Sequence, residues 1–167
     1  MDSAVPVPRT GLRLERVSFT DPDAQLLVAQ VQQEYVARYG GPDNTPFDAT
    51  VFDPPAGAFF VGYLAGLPAA CGGWRFRPDV RALGRARAAE VKRMYVAPAA
   101  RRDGHARVVL AHLEDTARAA GADVMVLETG LKQPEAIALY TSSGYEPVQP
   151  FGHYAWSPTA RYYGKPL

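Results

Sequence analysis

The chain has 167 residues with 18 basic and 17 acidic side chains, so its formal net charge is only +1. This balance argues against a general affinity for nucleic acid or for a membrane surface. The single cysteine, Cys71, excludes an internal disulfide and a zinc site built from several thiolates. A chain of this length is expected to form one domain with a sizeable core.

Periodicity in the first half of the chain predicts helices followed by a run of strands. Residues 1–10 contain two prolines and little pattern, so we expect a flexible tail before a folded domain at 11–167. Asp21-Pro22 is typical of a helix start, and Gly40-Gly41 ends that helix. The elements predicted in this half are a strand at 12–19, a helix from 21 to 40, a short helix within 44–55, a β-hairpin at 58–64 and 67–76, and a strand at 87–96.

The second half alternates between helical and strand patterns. Residues 123–128 form a short, nearly continuous apolar run, which is typical of a buried parallel strand. The other predicted elements are helices at 104–120 and 135–142, then strands at 145–148 and 154–165, the last one interrupted by Pro158. This order of elements predicts a three-layer domain of the mixed α/β class.

The junction between the strand at 87–96 and the next helix predicts a phosphate-binding turn. A helix start leaves backbone N–H groups without partners and carries a partial positive charge, so it binds anions without a dedicated side chain. Gly104 allows the backbone to approach a ligand closely, and Ala106 leaves that approach open. Several arginines surround this turn, which suits a polyanionic cofactor.

Three blocks of the sequence resemble the GNAT superfamily of acetyl-CoA-dependent N-acetyltransferases. The spacing Arg101-x-x-Gly104-x-Ala106 is similar to the family signature Q/R-x-x-G-x-G/A, and residues 90–96 resemble its central strand. Residues 133–145 resemble the block N-x-x-A-x-x-L-Y-x-x-x-G-F/Y, with Gln133 in place of the usual Asn. The resemblance covers residues 87–148 and comes in the order found in the family.

The resemblance implies a single three-layer GNAT-like domain with about four helices. Its sheet would be mixed and mostly antiparallel, and the central pair of strands would splay apart. The implied cofactor is acetyl-CoA, released as coenzyme A, and no metal is implied. The cofactor contacts implied by the resemblance are the backbone of Met94 and Val96, the segment Arg101, Arg102, Asp103, Gly104, His105, Ala106 and Arg107, and the side chains of Gln133 and Tyr140.

Acetyl transfer to an amine needs a group that accepts the amine proton and one that protonates the departing thiolate. Glu90 lies on the central strand where many family members hold the base, although it could equally be an ordinary carboxylate paired with Lys92 or Arg93. Tyr140 resembles the family's general acid, and its alternative role is to pack its ring under the cofactor. The oxyanion donor is expected to be a backbone amide near Met94.

The acceptor site is predicted from the segments that surround it in this fold. Aromatic residues with one cation suggest a small acceptor that has an apolar body and an acidic or polar group. Arg75 is the cation predicted to bind the acidic or polar group of the acceptor. The alternative is that Arg75 is a solvated residue at the end of the hairpin. These segments offer Tyr35, Tyr39, Phe47, Trp74, Arg75, His153 and Tyr154, of which Tyr35, Phe47, Trp74, Arg75 and His153 are the predicted acceptor-binding residues.

The sequence therefore predicts an N-acetyltransferase that moves an acetyl group to the primary amine of a small molecule in a ternary complex. The alternatives are a non-catalytic acyl-CoA-binding domain and an acetyltransferase acting on protein lysines or N-termini. With neither a leader-like segment nor a long apolar run, we expect a cytoplasmic monomer or homodimer without nucleic-acid or membrane partners.

Overall fold

Seven strands and three α-helices build residues 11–167, the part of the chain that this computed structural model describes. The predicted tail at 1–10 lies outside the described residues, and the domain boundary at residue 11 stays a prediction. The strands are β1 (Arg13–Val17), β2 (Gly57–Leu64), β3 (Leu67–Arg77), β4 (Ala88–Val96), β5 (Val124–Gly130), β6 (Glu146–Pro147) and β7 (Ala160–Pro166), and the helices are α1 (Pro22–Tyr39), α2 (His105–Ala119) and α3 (Pro134–Ser142).

All strands belong to one mixed sheet in the order β1-β2-β3-β4-β5-β7-β6. Every neighbouring pair is antiparallel except β4 with β5. That parallel pair is connected by α2, as a crossover between parallel strands requires. The predicted α/β class and the mostly antiparallel sheet are therefore confirmed.

Alternation along the strands divides the core into two layers. On one face, Phe60 and Leu127 pack with Leu113 of α2, and apolar residues of α3 join them. On the other face, Phe59 packs with Leu27 of α1. The helices thus cover both faces of the sheet, and none in the described part of the chain is long and apolar enough to cross a membrane.

The ends of α1 follow from local chemistry. The Asp21 carboxylate accepts hydrogen bonds from the amides of Asp23 and Ala24, which caps the first turn. Gly40 adopts a left-handed conformation with φ 80 and donates its N–H to the Val36 carbonyl. The predicted limits of this helix are confirmed.

Two predicted elements are shorter than expected. The helix predicted within 44–55 is only a 3-10 turn, Ala49–Phe52, because Pro54-Pro55 lacks the N–H groups needed to continue it. The strand predicted at 154–165 begins at Ala160, since the chain turns before Pro158 through a bond from the Ser157 amide to the Tyr154 carbonyl. With a second 3-10 turn at Pro98–Ala100, the fold has three α-helices rather than four.

β4 and β5 separate soon after they begin. Their ladder holds three pairs, from Ala88 with Val124 to Glu90 with Val126. Beyond these pairs each strand continues without the other, which opens the sheet at its centre. The splayed central pair implied by the family resemblance is thus present.

β4 also contains a bulge on its opposite edge. Arg93 and Met94 together face the single residue Gly72 of β3, and Arg93 has a φ of 56. A left-handed conformation is uncommon for a residue with a side chain, and a bulge of this kind turns neighbouring side chains into new directions.

A buried polar cluster fastens the C-terminal strand to α2. Glu114 of α2 accepts a hydrogen bond of 2.8 Å from the Tyr145 hydroxyl and one of 2.9 Å from the Lys165 ammonium. The Lys165 ammonium also lies over the Tyr145 ring. Removing one partner from a buried charged pair is costly, so this cluster should contribute to stability.

We predict that Tyr145→Phe lowers the free energy of unfolding by about 1.5–3 kcal/mol, because it deletes a buried hydrogen bond to a carboxylate and keeps the ring. Urea denaturation measures this change. Tyr63→Phe is the matched control, since Tyr63 donates to Asp23 at 2.7 Å at a less buried position. Equal losses in the two variants would contradict a special role for the Glu114 cluster.

Candidate active site

The turn between β4 and α2 presents a row of unpaired backbone donors. Gly104 caps α2 with a φ of 80, and Arg102 also has a positive φ of 72. Within the described residues, the amides of residues 102–107 donate to no backbone or side-chain acceptor. These N–H groups lie at the positive end of the helix dipole, so the predicted turn has the features of an anion site.

Side chains around this turn already have protein partners. Arg101 donates from Nε to the Val96 carbonyl at 2.9 Å and pairs with Glu34 of α1. Arg107 donates to the hydroxyls of Ser142 and Ser143, which joins α2 to α3. These two arginines are therefore held in place by neighbouring elements.

Three residues of the turn remain available to a ligand. Arg102 and Asp103 are exposed, and Arg102 forms no ion pair with any residue in 11–167. His105 is buried, and its Nδ1 atom has no hydrogen-bond partner among the described residues. An orphaned buried nitrogen next to free amides fits a site that binds phosphate oxygens.

The central opening of the sheet leads to a cavity of about 380 Å³. Its wall is formed by the opening strands, by the end of α1 and by the loops at 41–44 and 154–160. The aromatic residues in this wall are Tyr35, Tyr39, Tyr154 and Trp156, and the charged ones are Asp43, Glu90, Lys92, Arg93 and Glu128. The mixture of aromatic rings and a few charges is typical of a small-molecule site.

Glu90 is held by two guanidinium groups. Its carboxylate accepts a hydrogen bond of 3.0 Å from Nε of Arg75 and one of 2.7 Å from Arg77. Only 3% of the residue is exposed. Neither partner is the Lys92 or Arg93 suggested by the sequence. The predicted base is thus a paired carboxylate at the edge of the cavity.

Glu128 is a second carboxylate in the cavity, and it is not among the site residues predicted from the sequence. It lies two residues beyond Val126, the partner of Glu90, so both carboxylates project from the same face of the sheet. Glu128 makes no hydrogen bond to any described residue. Burial raises the pKa of Glu128 to about 7, although the Lys92 ammonium opposes this effect.

Asp43 brings the loop after α1 onto the bulge of β4. Its carboxylate accepts a hydrogen bond from Arg93 and lies 3.7 Å from the Lys92 ammonium. Burial alone would raise the pKa of Asp43, but Lys92, Arg93 and hydrogen bonds from Thr45 lower it to about 2. Lys92 and Arg93 are consecutive, so only the bulge allows both to line the same cavity.

Tyr140 lies on α3 and is 7% exposed. Its ring packs edge-on against Tyr145 with centroids 5.7 Å apart. Burial raises the pKa of Tyr140, so its hydroxyl stays protonated through the neutral range. Tyr140 lies outside the cavity wall, on the helix that begins directly after Gln133, and Gln133 lines the cavity.

The model of the acetyltransferase (GNAT) family matches residues 28–145. The chain belongs to the GNAT family of N-acetyltransferases. Its match spans well over half of the chain and contains β4, the turn, α2 and Tyr140. Members of this family use acyl-CoA donors.

Known proteins agree with this assignment. An IAA acetyltransferase of Azospirillum brasilense is 46% identical over 78 residues, which cover 47% of this chain and only 51% of that relative. A protein from Klebsiella pneumoniae, named as a candidate acyl-CoA N-acyltransferase, has a crystal structure similar to this chain with a TM-score of 0.76 and 26% identity. That similarity covers 95% of this chain and 99% of the other. An IAA acetyltransferase from Bacillus cereus shares the fold, with a TM-score of 0.64 and 18% identity over 93% of this chain and 99% of that one.

The acceptor residues predicted from the sequence are only partly brought together in this GNAT fold. Tyr35 lines the cavity. Trp74 projects from the opposite face of β3 and donates to Thr116 of α2 at 3.0 Å. Arg75 forms an ion pair with Glu90 and does not itself line the cavity.

The other two predicted acceptor residues lie near the cavity without lining it. Phe47 packs against Phe19 and lies under the Arg93 guanidinium. His153 is exposed, with its ring against Tyr154. The adjacent Tyr154 does line the cavity, and its hydroxyl accepts a hydrogen bond of 2.8 Å from the Asn44 amide.

Predicted cofactor contacts occupy distinct positions around the opening. The backbone of β4 after Glu90, including Met94 and Val96, has no ladder partner on β5. Gln133 is the N-cap residue of α3. It lines the cavity and donates to the Tyr39 hydroxyl at 3.2 Å. A side chain at Gly130 would overlap that hydroxyl, which explains the glycine at the end of β5.

We predict that Gly104→Val weakens acetyl-CoA binding at least tenfold, because a branched side chain at the start of α2 obstructs the row of free amides. Isothermal titration calorimetry measures the affinity.

Gly66→Val is the matched control, since Gly66 has the same φ of 80 in open space at the hairpin turn. Gly66→Val introduces the same backbone strain away from the turn between β4 and α2, so this variant should still bind acetyl-CoA. Unchanged affinity in Gly104→Val would place the phosphate site elsewhere.

Proposed function

We propose that this enzyme transfers an acetyl group from acetyl-CoA to the primary amine of a small molecule in a ternary complex. The observation that carries the proposal is the cavity at the β4–β5 opening, which contains Glu128 and borders the strand that ends at the anion-binding turn. One continuous strand therefore links the proposed donor site to the proposed acceptor cavity.

The turn fits the pyrophosphate of the donor. The free amides of residues 102–107 and the unpartnered Nδ1 of His105 would hold its phosphate oxygens, with Arg102 as the nearby cation. The unpaired edge of β4 at Met94 and Val96 offers backbone groups to the pantetheine arm. Bound acetyl-CoA supplies an acetyl group activated as a thioester.

Glu128 is our choice for the group that accepts the proton of the amine. Its carboxylate is inside the cavity, is free of hydrogen bonds to residues 11–167 and has a pKa of about 7, close to the optimum for a base at neutral pH. Glu90 remains the rival base from the sequence. Its pairing with Arg75 and Arg77 supports a positioning role instead.

Tyr140 is proposed to protonate the departing thiolate. The phenol is buried on α3 and keeps its proton at neutral pH because burial raises its pKa, which supplies a donor at a fixed position. Its ring contact with Tyr145 would keep the side chain in place when the hydroxyl is removed.

The size of the cavity supports a small acceptor. About 380 Å³ holds a molecule of amino-acid size, and hydrogen bonds between Gln133 and Tyr39 and between Asn44 and Tyr154 connect residues of its wall. A protein substrate is the alternative; an Escherichia coli ribosomal-protein-S18-alanine N-acetyltransferase shares this fold at 19% identity with a TM-score of 0.61. The cytoplasmic location and the monomeric or dimeric state stay predictions from the sequence.

The assay that tests the proposal measures thiol release from acetyl-CoA with a panel of small amines and lysine peptides. We expect small amines to be the better acceptors. For the wild type, kcat/KM should rise through pH 7 as Glu128 loses its proton. In Glu128→Gln, kcat/KM should no longer rise through pH 7. Activity should return only at high pH, where the amine is already deprotonated.

Glu90→Gln is the matched variant, because it makes the same chemical change on the neighbouring strand. Glu90→Gln should lower kcat/KM at every pH and keep its rise through pH 7. If Glu90→Gln lost the rise of kcat/KM through pH 7 while Glu128→Gln kept it, the roles of the two carboxylates would be reversed. A preference for lysine peptides would overturn the proposal of a small acceptor.

We predict that Tyr140→Phe lowers kcat by roughly 10²- to 10⁴-fold, since one positioned proton-transfer group is lost. Acetyl-CoA affinity should change little because the ring still packs. Single-turnover kinetics and calorimetry separate the two effects. Near-normal turnover where chemistry limits the rate would leave Tyr140 with packing alone.

A further inference from the structure

Lys92 places an ammonium group in the cavity without a hydrogen-bond partner among the described residues. Only 9% of its side chain is exposed, and it donates no hydrogen bond to any of residues 11–167. The Oδ2 atom of Asp43, with which it forms an ion pair, is 3.7 Å away. The three N–H donors of this ammonium therefore face the open cavity and can bind an acceptor there.

The carboxylate of Glu90 does not compensate this charge. Glu90 is bound by Arg75 and Arg77, and Arg77 is also bound by Asp79 at 2.8 Å. These four side chains contain two positive and two negative charges. The group is balanced within itself.

Asp43 is shared between two cations. Its Oδ2 atom accepts from Arg93 and lies 3.7 Å from the Lys92 ammonium, and its Oδ1 atom accepts from the Thr45 hydroxyl at 2.6 Å. One carboxylate thus faces two positive charges, so one of them is left over, and Lys92 is the cation that donates no hydrogen bond to the described residues. The other charged group of the cavity wall without such a bond is Glu128, which is only partly ionised at neutral pH.

These two remaining groups match the two ends of a zwitterion. Glu128 suits an amine, as argued above, while Lys92 offers one positive charge and three donors to a carboxylate. The bulge of β4 is what turns Lys92 and Arg93 into the same cavity. Both charged groups thus line the same cavity.

We propose that Lys92 binds a carboxylate on the acceptor, so that the acceptor is an amine of amino-acid type. The inference rests on the proposed function and specifies the acceptor class of the same site. One uncompensated charge matches the single charge of a carboxylate better than the double charge of a phosphate monoester. The aromatic wall of Tyr35, Tyr39, Tyr154 and Trp156 accommodates an apolar body between the two polar ends.

The test compares pairs of amines that differ only by a carboxylate. L-phenylalanine is paired with phenethylamine, and p-(aminomethyl)benzoate with benzylamine, which covers a short and a long separation of the two groups. The ratio of kcat/KM within a pair should favour the carboxylate in the wild type. Lys92→Gln should reduce that ratio ~10-fold or more, the usual effect of losing a charge-assisted hydrogen bond.

Two further variants control for charge and folding. Lys92→Arg keeps the positive charge and should retain most of the preference. Arg118→Gln removes a positive charge from the exposed face of α2, where Arg118 pairs with Asp115, and should leave the ratio unchanged. O-phosphoethanolamine tests the phosphate alternative, and a preference for it over every carboxylate would overturn the proposal.

A binding measurement keeps the inference testable without turnover. Trp156 is 77% exposed and lines the cavity, so phenylacetate, which has no amine, should change its fluorescence. Trp156→Phe confirms the origin of the signal. Phenylacetate should bind the wild type and Lys92→Arg at least tenfold more tightly than Lys92→Gln.

The possible failures are distinguishable. Equal use of both members of each pair by wild type and Lys92→Gln would refute the carboxylate site and leave small-amine acetylation standing. Acetylation of lysine peptides alone would refute the proposed function. Equal phenylacetate affinity in the wild type and in folded Lys92→Gln, checked by circular dichroism, would refute the role of Lys92 even then.

Discussion

The loss of pairing between β4 and β5 is the constraint on which the rest of this enzyme depends. Backbone N–H and C=O groups inside a protein need partners, yet these strands share hydrogen bonds over only three residue pairs. The unpaired length of β4 leads to the anion-binding turn, and the unpaired length of β5 contains Glu128. An open sheet centre thus connects the proposed donor and acceptor sites of this GNAT fold.

The surroundings of this opening are rigid on the donor side. Arg107 joins α2 to the end of α3, and the buried Glu114 joins α2 to Tyr145 and Lys165. Tyr140 packs against that same Tyr145. The proposed proton donor therefore packs against a tyrosine that is itself held by a buried polar cluster, a support that precise positioning requires.

Electrostatic compensation organises the acceptor side. Most cavity charges are neutralised by protein partners, which permits burial without large penalties. The Asp43–Arg93 pair also holds the loop after α1 against the bulge, with Gln32 donating from its amide nitrogen to the Asp43 carbonyl. Lys92 and Glu128, the two groups to which we assign binding and proton transfer, are the charged wall residues without a hydrogen bond to the described residues.

The sequence by itself determined the elements whose signals are local. Capping residues, turn glycines and periodicity depend on neighbours a few positions apart, so α1, β4, the Gly104 turn and α2 were predictable. Alternation along β3 could also have shown that Trp74 and Arg75 face opposite sides. The tertiary structure alone decided the bulge at Arg93, the divergence after Glu90 and the approach of Asp43 to Lys92. These features arise from pairing between distant segments, and no local pattern records which carboxylate remains unpaired when the strands meet.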